Sequence, residues 1–360
     1  MRFCQSYRFN MDINFLNTIL NTHSVSGFEN EIREEFLNYT KQFVDSIDTD
    51  KMGNAYASIV SGANSMKYMI EAHMDEIGFQ VIYIDDDGYI YIRANGSVDA
   101  HCVPGSQVCI ITSSGERVNG IIGKTPIHLL SSEERNRCLE ISSIWIDTGL
   151  CKDQVVKKVS IGNPVAIIPN VLYLSEHVIS SKSLDNKIGV FIISQVLKKL
   201  ASVNQKSFDV YGVATVQEEV GHRGAYACAC KVCPDLMISL DMDFATDVPN
   251  CPKSKYGEIA LGRGVIIHRS IDNDIAMTYT LEKLAKKLKI KHQISARNMP
   301  VGGTNAFILQ QSKGGNKTIS LGIPCRYMHT PVELCDLNDI NAAIDLIYHL
   351  IIRPENKESI

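Results

Sequence analysis

Two adjacent carboxylates, Glu218 and Glu219, close the segment Val213-Ala214-Thr215-Val216-Gln217 and stand just before glycines at 221 and 224. The apolar run Val210–Val216 predicts a buried strand, and the glycines predict a tight turn after it. In an open α/β sheet, ligands gather beyond the carboxyl ends of the strands, so both glutamates stand where chemistry is usually done. Neighbours in an extended chain point different ways, so one can bind a metal while the other holds a proton. A glutamate pair on its own is more often a solvated loop. The rest of the chain decides between these readings.

Four further candidates share the same placement. His73 follows the predicted strand Met66–Ala72, Asp241 follows Leu236–Leu240, Asp185 opens a helix and His329 lies in a turn. With Glu219 they form a set of two histidines and three carboxylates, which suits zinc, cobalt or manganese. The absence of thiolate from the set argues against a structural zinc site. A carboxylate shared between two ions is the usual way to hold them about 3.5–4 Å apart. Singly, each residue has a plainer explanation: a satisfied histidine at a strand end, or an N-cap in the case of Asp185. The remaining histidines, His128, His177 and His268 among them, stay in that plain class. Joint placement at element ends is what favours chemistry.

The elements that must carry these residues fall into two textures. Around the candidates, strands alternate with helical patterns: a helix after Ser26-Gly27-Phe28-Glu29, a strand at Val44–Ile47, and a turn from Asp48 with Gly53-Asn54 at its tip. Further on come a helix with Ile188, Phe191, Ile192, Val196 and Leu200 on its apolar face, the amphipathic helix Ala276–Leu288, a loop at Gly302–Asn305, and a final helix over Asn338–Ile352. Between Phe79 and Val165 the pattern is different. Short β-rich runs (Gln80–Ile84, Tyr89–Ile92, Gln107–Thr112, Val118–Ile122, Ser143–Ile146 and Pro164–Ile168) alternate with turn residues. The fold expected is α/β, a mixed sheet flanked by helices, with a small all-β barrel-like domain inserted. Residues 1–78 and 166–360 would form the catalytic domain and 79–165 the insertion.

Bulk properties exclude several classes. The 360 residues suffice for about two domains, and the net charge of −4 comes without a Lys/Arg block. That argues against a nucleic-acid binder and against a polybasic membrane surface. Met1–Leu16 has no continuous apolar core of a secretory signal, and no run is long enough to span a bilayer. A helical pattern that begins at Asp12 makes Met11 a candidate start. The eleven cysteines form no disulfide framework. Cys230 and Cys233 have zinc-knuckle spacing without a second pair, so with Cys228 they read as thiols on a helix rich in small residues. Reduced cysteines place the chain in the cytoplasm.

Four segments then become specific together. Ala72-His73-Met74-Asp75-Glu76-Ile77-Gly78-Phe79, Ser183-Leu184-Asp185-Asn186, Glu218-Glu219-Val220-Gly221-His222-Arg223-Gly224-Ala225 and Arg326-Tyr327-Met328-His329-Thr330-Pro331-Val332-Glu333 occur in this order. They resemble the signatures of the tetrahedral aminopeptidases, the glutamyl, leucyl, lysyl and deblocking enzymes with two co-catalytic metals. The resemblance runs from about Ser26 to Ile352. It implies that Asp185 bridges two divalent ions per subunit, zinc or cobalt with manganese as an alternative. Glu219 and His329 would complete one site, and His73 and Asp241 the other. Glu218 would be the general base, and Asp75, two residues from His73 on one side of an extended segment, would sit behind that imidazole. The substrates implied are peptides, cut at the N-terminus by a metal-activated water. The insertion would be a dimerisation domain, and dimers would build hollow dodecamers.

Two positions depart from the family pattern. Asn305 stands in Gly302-Gly303-Thr304-Asn305-Ala306 where the family often has Asp, and His222 replaces a usually apolar residue. Two rival readings remain. Relatives labelled endoglucanases raise glycan hydrolysis, but adjacent glutamates do not flank a glycosidic bond and the histidines would be idle. A non-catalytic scaffold with a peptidase fold would be favoured by loss of a ligand or of the base, and none is lost.

Overall fold

The computed structural model describes residues 11–62, 65–296 and 303–353. Its centre is an eight-stranded sheet, in the order Ser46–Thr49, Ala55–Ile59, Phe208–Thr215, Met66–His73, Leu236–Phe244, Thr318–Cys325, Val265–His268, His292–Ser295. The four inner strands from Phe208–Thr215 to Thr318–Cys325 run parallel, and antiparallel pairings join the outer strands to them. Inner strands of such a sheet are covered on both faces, so they read as near-continuous apolar runs. Val210, Val213, Ile70, Ile238, Ile319 and Leu321 are all fully buried. The edge strand lies at Ser46–Thr49, two residues later than its apolar start implied, and is exposed throughout.

The Leu184–Ala201 helix lies against this sheet and also touches the helices Ile13–Leu20, Asn30–Thr40 and Leu337–Ile351. The sequence pattern shows one apolar face; the structure buries Val190, Ile193 and Leu197 as well. Covered on several sides, the helix has little polar surface to display. Glycine allows its close approach. A Cβ on Gly212 of the central strand would lie 2.6 Å from Ile193 Cγ2 of the helix, and one on Gly189 would lie 2.6 Å from Ala72 Cβ.

The β-rich stretch closes into a six-stranded antiparallel barrel: Gly78–Ile84, Ile90–Asn95, Trp145–Asp147, Arg117–Gly123, Gln107–Ile111 and Pro164–Ile167 in spatial order. Its interior is a separate core that includes Phe79, Val81, Ile90, Val108, Ile110, Ile122 and Val165. Strand Arg117–Gly123 alternates buried and outward residues, the period expected of a barrel wall. One strand begins later than its sequence run, because Ile141–Ser143 forms a 3-10 turn ahead of Trp145. Of the loop expected at Gly302–Asn305, Gly302 lies outside the described residues, and Asn305 opens the helix Asn305–Gln311. The final helix runs over Leu337–Ile351.

Gly189→Ala tests the helix–sheet contact. Its methyl meets the strand that ends in His73, so we expect a loss of about 1–3 kcal/mol by overpacking, read as a lower denaturation midpoint. An unchanged midpoint would mean that the helix has room to move away.

Candidate metal centre and active site

The site opens where two parallel strands part. Leu236–Phe244 pairs with Met66–His73 only as far as Ser239↔Glu71, while on its other side it stays paired to Phe244↔Cys325. Asp241 therefore stands inside a strand, not beyond its end, at the point where the neighbour has diverged. The Leu240 carbonyl there accepts from Asn186 Nδ2 at 2.8 Å. Asp185 precedes that asparagine and is not the helix N-cap proposed from sequence. Ser183 takes the cap position in left-handed backbone, and Asp185 and Asn186 have non-helical dihedrals with a cis bond between them. The Asp185 carboxylate faces His73 at the end of its strand.

The carboxylate lies between two imidazoles. Asp185 Oδ1 is 3.1 Å from His73 Nε2, and Oδ2 is 3.4 Å from His329 Nε2. His73 Nε2 is also 3.5 Å from Asp241 Oδ1, and His329 Nε2 is 3.4 Å from Glu219 Oε1. Glu218 Oε2 is 4.0 Å from His73 Nε2. The donors fall into overlapping groups, His73–Asp185–Asp241 and Asp185–Glu219–His329, with a third of His73, Glu218 and Glu219. Among the described residues, all five sequence-derived ligand candidates thus converge.

Electrostatics shows why such a cluster wants cations. Burial pushes the Asp241 carboxyl well above the usual carboxylate range, and Asp185 and Glu218 add to it. Burial likewise raises Glu219, to about 7, with Asp185 contributing. Burial opposes charge on Asp185 too, yet His329 and His73 hold its carboxyl below the ordinary value. Burial disfavours charge on the imidazoles, but the carboxylates prevail. Glu218, Asp185 and Asp241 raise His73 well above its ordinary value, and Asp185 and Glu219 raise His329 to about 11. Oxygen and imidazole donors crowded with excess negative charge fit divalent ions, which compete with protons for the same atoms.

A surrounding layer sets the orientation of these groups. Asp75 is fully buried, and its carboxylate accepts the Glu218 N–H at 2.9 Å, the Glu219 N–H at 3.1 Å and the Ser26 hydroxyl at 2.6 Å. Its carbonyl, at 3.1 Å, is nearer His73 Nδ1 than its carboxylate, at 3.5 Å. Glu333 joins two ligands, taking the His329 N–H on one oxygen at 2.8 Å and the Asp185 N–H on the other at 2.9 Å. The carbonyl of Ser97, just past a barrel strand, lies 3.0 Å from His329 Nδ1. Asn54 accepts the Val216 N–H and donates to the Gly224 carbonyl, each at 3.0 Å, which pins both ends of the glutamate turn. Gly224 is needed there, since a Cβ would lie 2.3 Å from Asn54 Oδ1 and 2.6 Å from the Val216 carbonyl oxygen.

Sequence reasoning missed most of this layer. Glu333 and Glu76 stood inside recognised segments without a role, and Ser26, Asn54 and Ser97 gave no signal, because their function depends on contacts far along the chain. Cys228, Cys230 and Cys233 are free thiols on or just past the Arg223–Val232 helix and belong to none of the ligand groups found among the described residues.

Comparison with known proteins fits this geometry. The model of the M42 glutamyl aminopeptidases matches residues 53–346. The chain belongs to that family. The lysyl aminopeptidase of Pyrococcus furiosus is 31% identical over 95% of this chain and 97% of its own length. The TET aminopeptidase of the marine sediment archaeon Thaumarchaeota archaeon SCGC AB-539-E09 has a TM-score of 0.89 at 28% identity, over 96% of this chain and 97% of that one. The TET1 peptidase of Pyrococcus horikoshii, which can assemble into a tetrahedron or a large octahedral shell, has a TM-score of 0.83 at 28% identity, over 94% and 98%. The enzyme is a metal-dependent aminopeptidase with three overlapping groups of candidate metal ligands among the described residues.

Behind Asp185 the enzyme buries a second charged cluster. Glu76 Oε2 contacts Lys182 and the Ser183 hydroxyl and lies 3.2 Å from Lys187 Nζ, all three side chains being buried. Burial alone would raise the Glu76 carboxyl, but Lys182 and Lys187 hold it well below its ordinary value. Glu76→Gln would strand the buried Lys182 ammonium beside the Asp185 segment and leave the Lys187 amine, already lowered to about 7 by burial, without its carboxylate. We expect a loss of about 3–5 kcal/mol, measured by chemical denaturation. A change below 1 kcal/mol would show that water or another group neutralises the lysines.

Proposed function

We propose that the enzyme removes N-terminal residues from peptides, with His73 and Asp241 holding one divalent ion, Glu219 and His329 the other, and Asp185 shared. The observation that carries this is the Asp185 carboxylate, with one oxygen 3.1 Å from His73 and the other 3.4 Å from His329. Zinc or cobalt suits the donor set best, and manganese is compatible with it. Such ions supply Lewis-acid polarisation of the scissile carbonyl and a lowered pKa for the attacking water. The chain's own residues do the rest. Glu218 accepts the water's proton and delivers it to the leaving amine. Asp75 holds the backbone of both glutamates, so base and ligand keep a fixed relation. Beside them a cavity of about 120 Å³, with Met242, Phe244, Thr304 and Met328 in its wall, offers space for the first residue of a peptide. Adjacent glutamates that converge on histidines give no support to glycan hydrolysis.

Self-association belongs to the same reading. The inserted segment, residues 79–165, exposes Ile82, Tyr83, Ile121, Ile127 and Leu129, and we assign it as the dimerisation domain. Likeness to a TET peptidase that forms closed shells supports further assembly to a dodecamer. No helix among the described residues is long and apolar enough to cross a membrane. Free, exposed Cys102, Cys138 and Cys151 support a reducing, cytoplasmic setting.

A strong chelator should abolish peptide hydrolysis, and zinc or cobalt should restore it. Full activity in protein that metal analysis finds free of divalent ions would end the two-metal reading. The two glutamates should then separate. Glu218→Gln is expected to keep both ions and lose rate on the order of 10²–10⁴-fold, beyond rescue by added metal. Glu219→Gln should lose metal occupancy and regain activity as metal is raised. Metal loss by Glu218→Gln alone would reverse the assignment. Sedimentation showing only monomer at micromolar concentration, with full activity, would refute the assembly.

A further inference from the structure

The two positions that depart from the family pattern touch each other. His222 Nδ1 lies 3.2 Å from Asn305 Oδ1, although 83 residues separate them. The same nitrogen lies 3.0 Å from Glu218 Oε1, while the other oxygen of that carboxylate is the one facing His73. Among the described residues, His222 is the side-chain donor within hydrogen-bond distance of the Glu218 carboxylate.

The network continues behind Asn305. Its Nδ2 donates to Glu71 Oε1 at 2.6 Å and lies 3.2 Å from Thr215 Oγ1. Glu71 is fully buried and also receives the Thr215 hydroxyl at 2.5 Å and the Ser239 hydroxyl at 3.1 Å. With the amide nitrogen committed to Glu71, the amide oxygen faces His222. Glu218 and Asn305 then both present acceptors to one ring nitrogen, so their geometry assigns the hydrogen to Nδ1. That N–H meets Asn305 in hydrogen-bond geometry and stands within ion-pair reach of Glu218. An apolar side chain at 222 could not donate it, and a carboxylate at 305 would place negative charge against Glu71.

We propose that His222 is a positioning residue for Glu218: held by Asn305 on the buried Glu71, its Nδ1–H fixes the carboxylate with one oxygen turned to the metal ligands. This rests on Glu218 being the base. The histidine donor and the neutral amide that holds it then form one device. Fixing a reacting group within a fraction of an ångström matters because misplacement by about 1 Å can cost roughly 10²-fold in rate.

His222 also occupies left-handed backbone at the start of the Arg223–Val232 helix, so a purely structural role must be separable. Asn serves this purpose. It tolerates that backbone, and its Nδ2 stands on Cγ where histidine carries Nδ1. Gln and Leu place no donor there. The test compares wild type, His222→Asn, His222→Gln and His222→Leu for kcat, KM, bound metal per subunit and the crystallographic conformation of Glu218.

We expect His222→Leu and His222→Gln to lower kcat by about tenfold or more. Their KM and metal content should hold, with Glu218 spread over more than one rotamer. His222→Asn should recover most of the rate and a single Glu218 conformation. Wild-type kcat in His222→Gln, or a loss in His222→Asn as large as in His222→Gln, overturns the proposal. Should His222→Leu fail to fold, the Gln and Asn pair decides alone. Absence of peptide hydrolysis by metal-loaded wild type would overturn the aminopeptidase reading as well; hydrolysis with indifferent variants would overturn only the role of His222.

Discussion

Keeping like charges together out of water is the constraint on which this structure turns. Asp185, Glu219 and Asp241 are buried beside one another, and the cost of that arrangement is visible in the raised carboxyls of Asp241 and Glu219. Left to themselves, such groups would rotate apart or take up protons. The fold denies them rotation by tying down their backbones. Glu333 holds the N–H groups of Asp185 and His329, and Asp75 holds those of Glu218 and Glu219. These two buried carboxyl groups take two main-chain donors each, and Asp75 takes the Ser26 hydroxyl as well. The site's supports are carboxyl groups that take main-chain amides, and repulsion within it is resolved by cations or protons.

The position of the cluster follows from sheet geometry. Parallel inner strands must be covered on both faces, which makes the core and admits polar side chains along their length only where they satisfy one another, as Glu71, Thr215 and Ser239 do. The ligand side chains gather where one of these pairings stops. The separation of Met66–His73 from Leu236–Phe244 after Ser239 frees the Leu240 carbonyl, and Asn186 fills that vacancy while its neighbour Asp185 enters the crevice. One loss of pairing thus accounts for both a structural amide and the shared carboxylate.

Much of this was legible in the sequence, for identifiable reasons. The buried strands read clearly because parallel strands are apolar throughout, and the six barrel strands read clearly because turn residues punctuate them. Ligand types at strand ends, in four ordered segments, gave the candidate site. What stayed hidden was whatever long-range contact decides. Asp185 looked like a helix cap because local sequence cannot show that the first turn is non-helical. Asp241 looked like a strand terminus because divergence belongs to the neighbouring strand. His222 and Asn305 could be seen as departures, but their contact across 83 residues could not.

The carbonyl of Ser97 gives the site a mechanical connection to the barrel. His329 is turned by a group that belongs to the inserted segment, and Asn95 nearby donates to the Ser26 carbonyl at 2.8 Å, next to the serine hydroxyl that supports Asp75. The barrel is therefore a strut of the centre as well as an attachment. Two contacts thus seat the metal-ligand layer on the inserted segment, one through an imidazole and one through the serine behind Asp75.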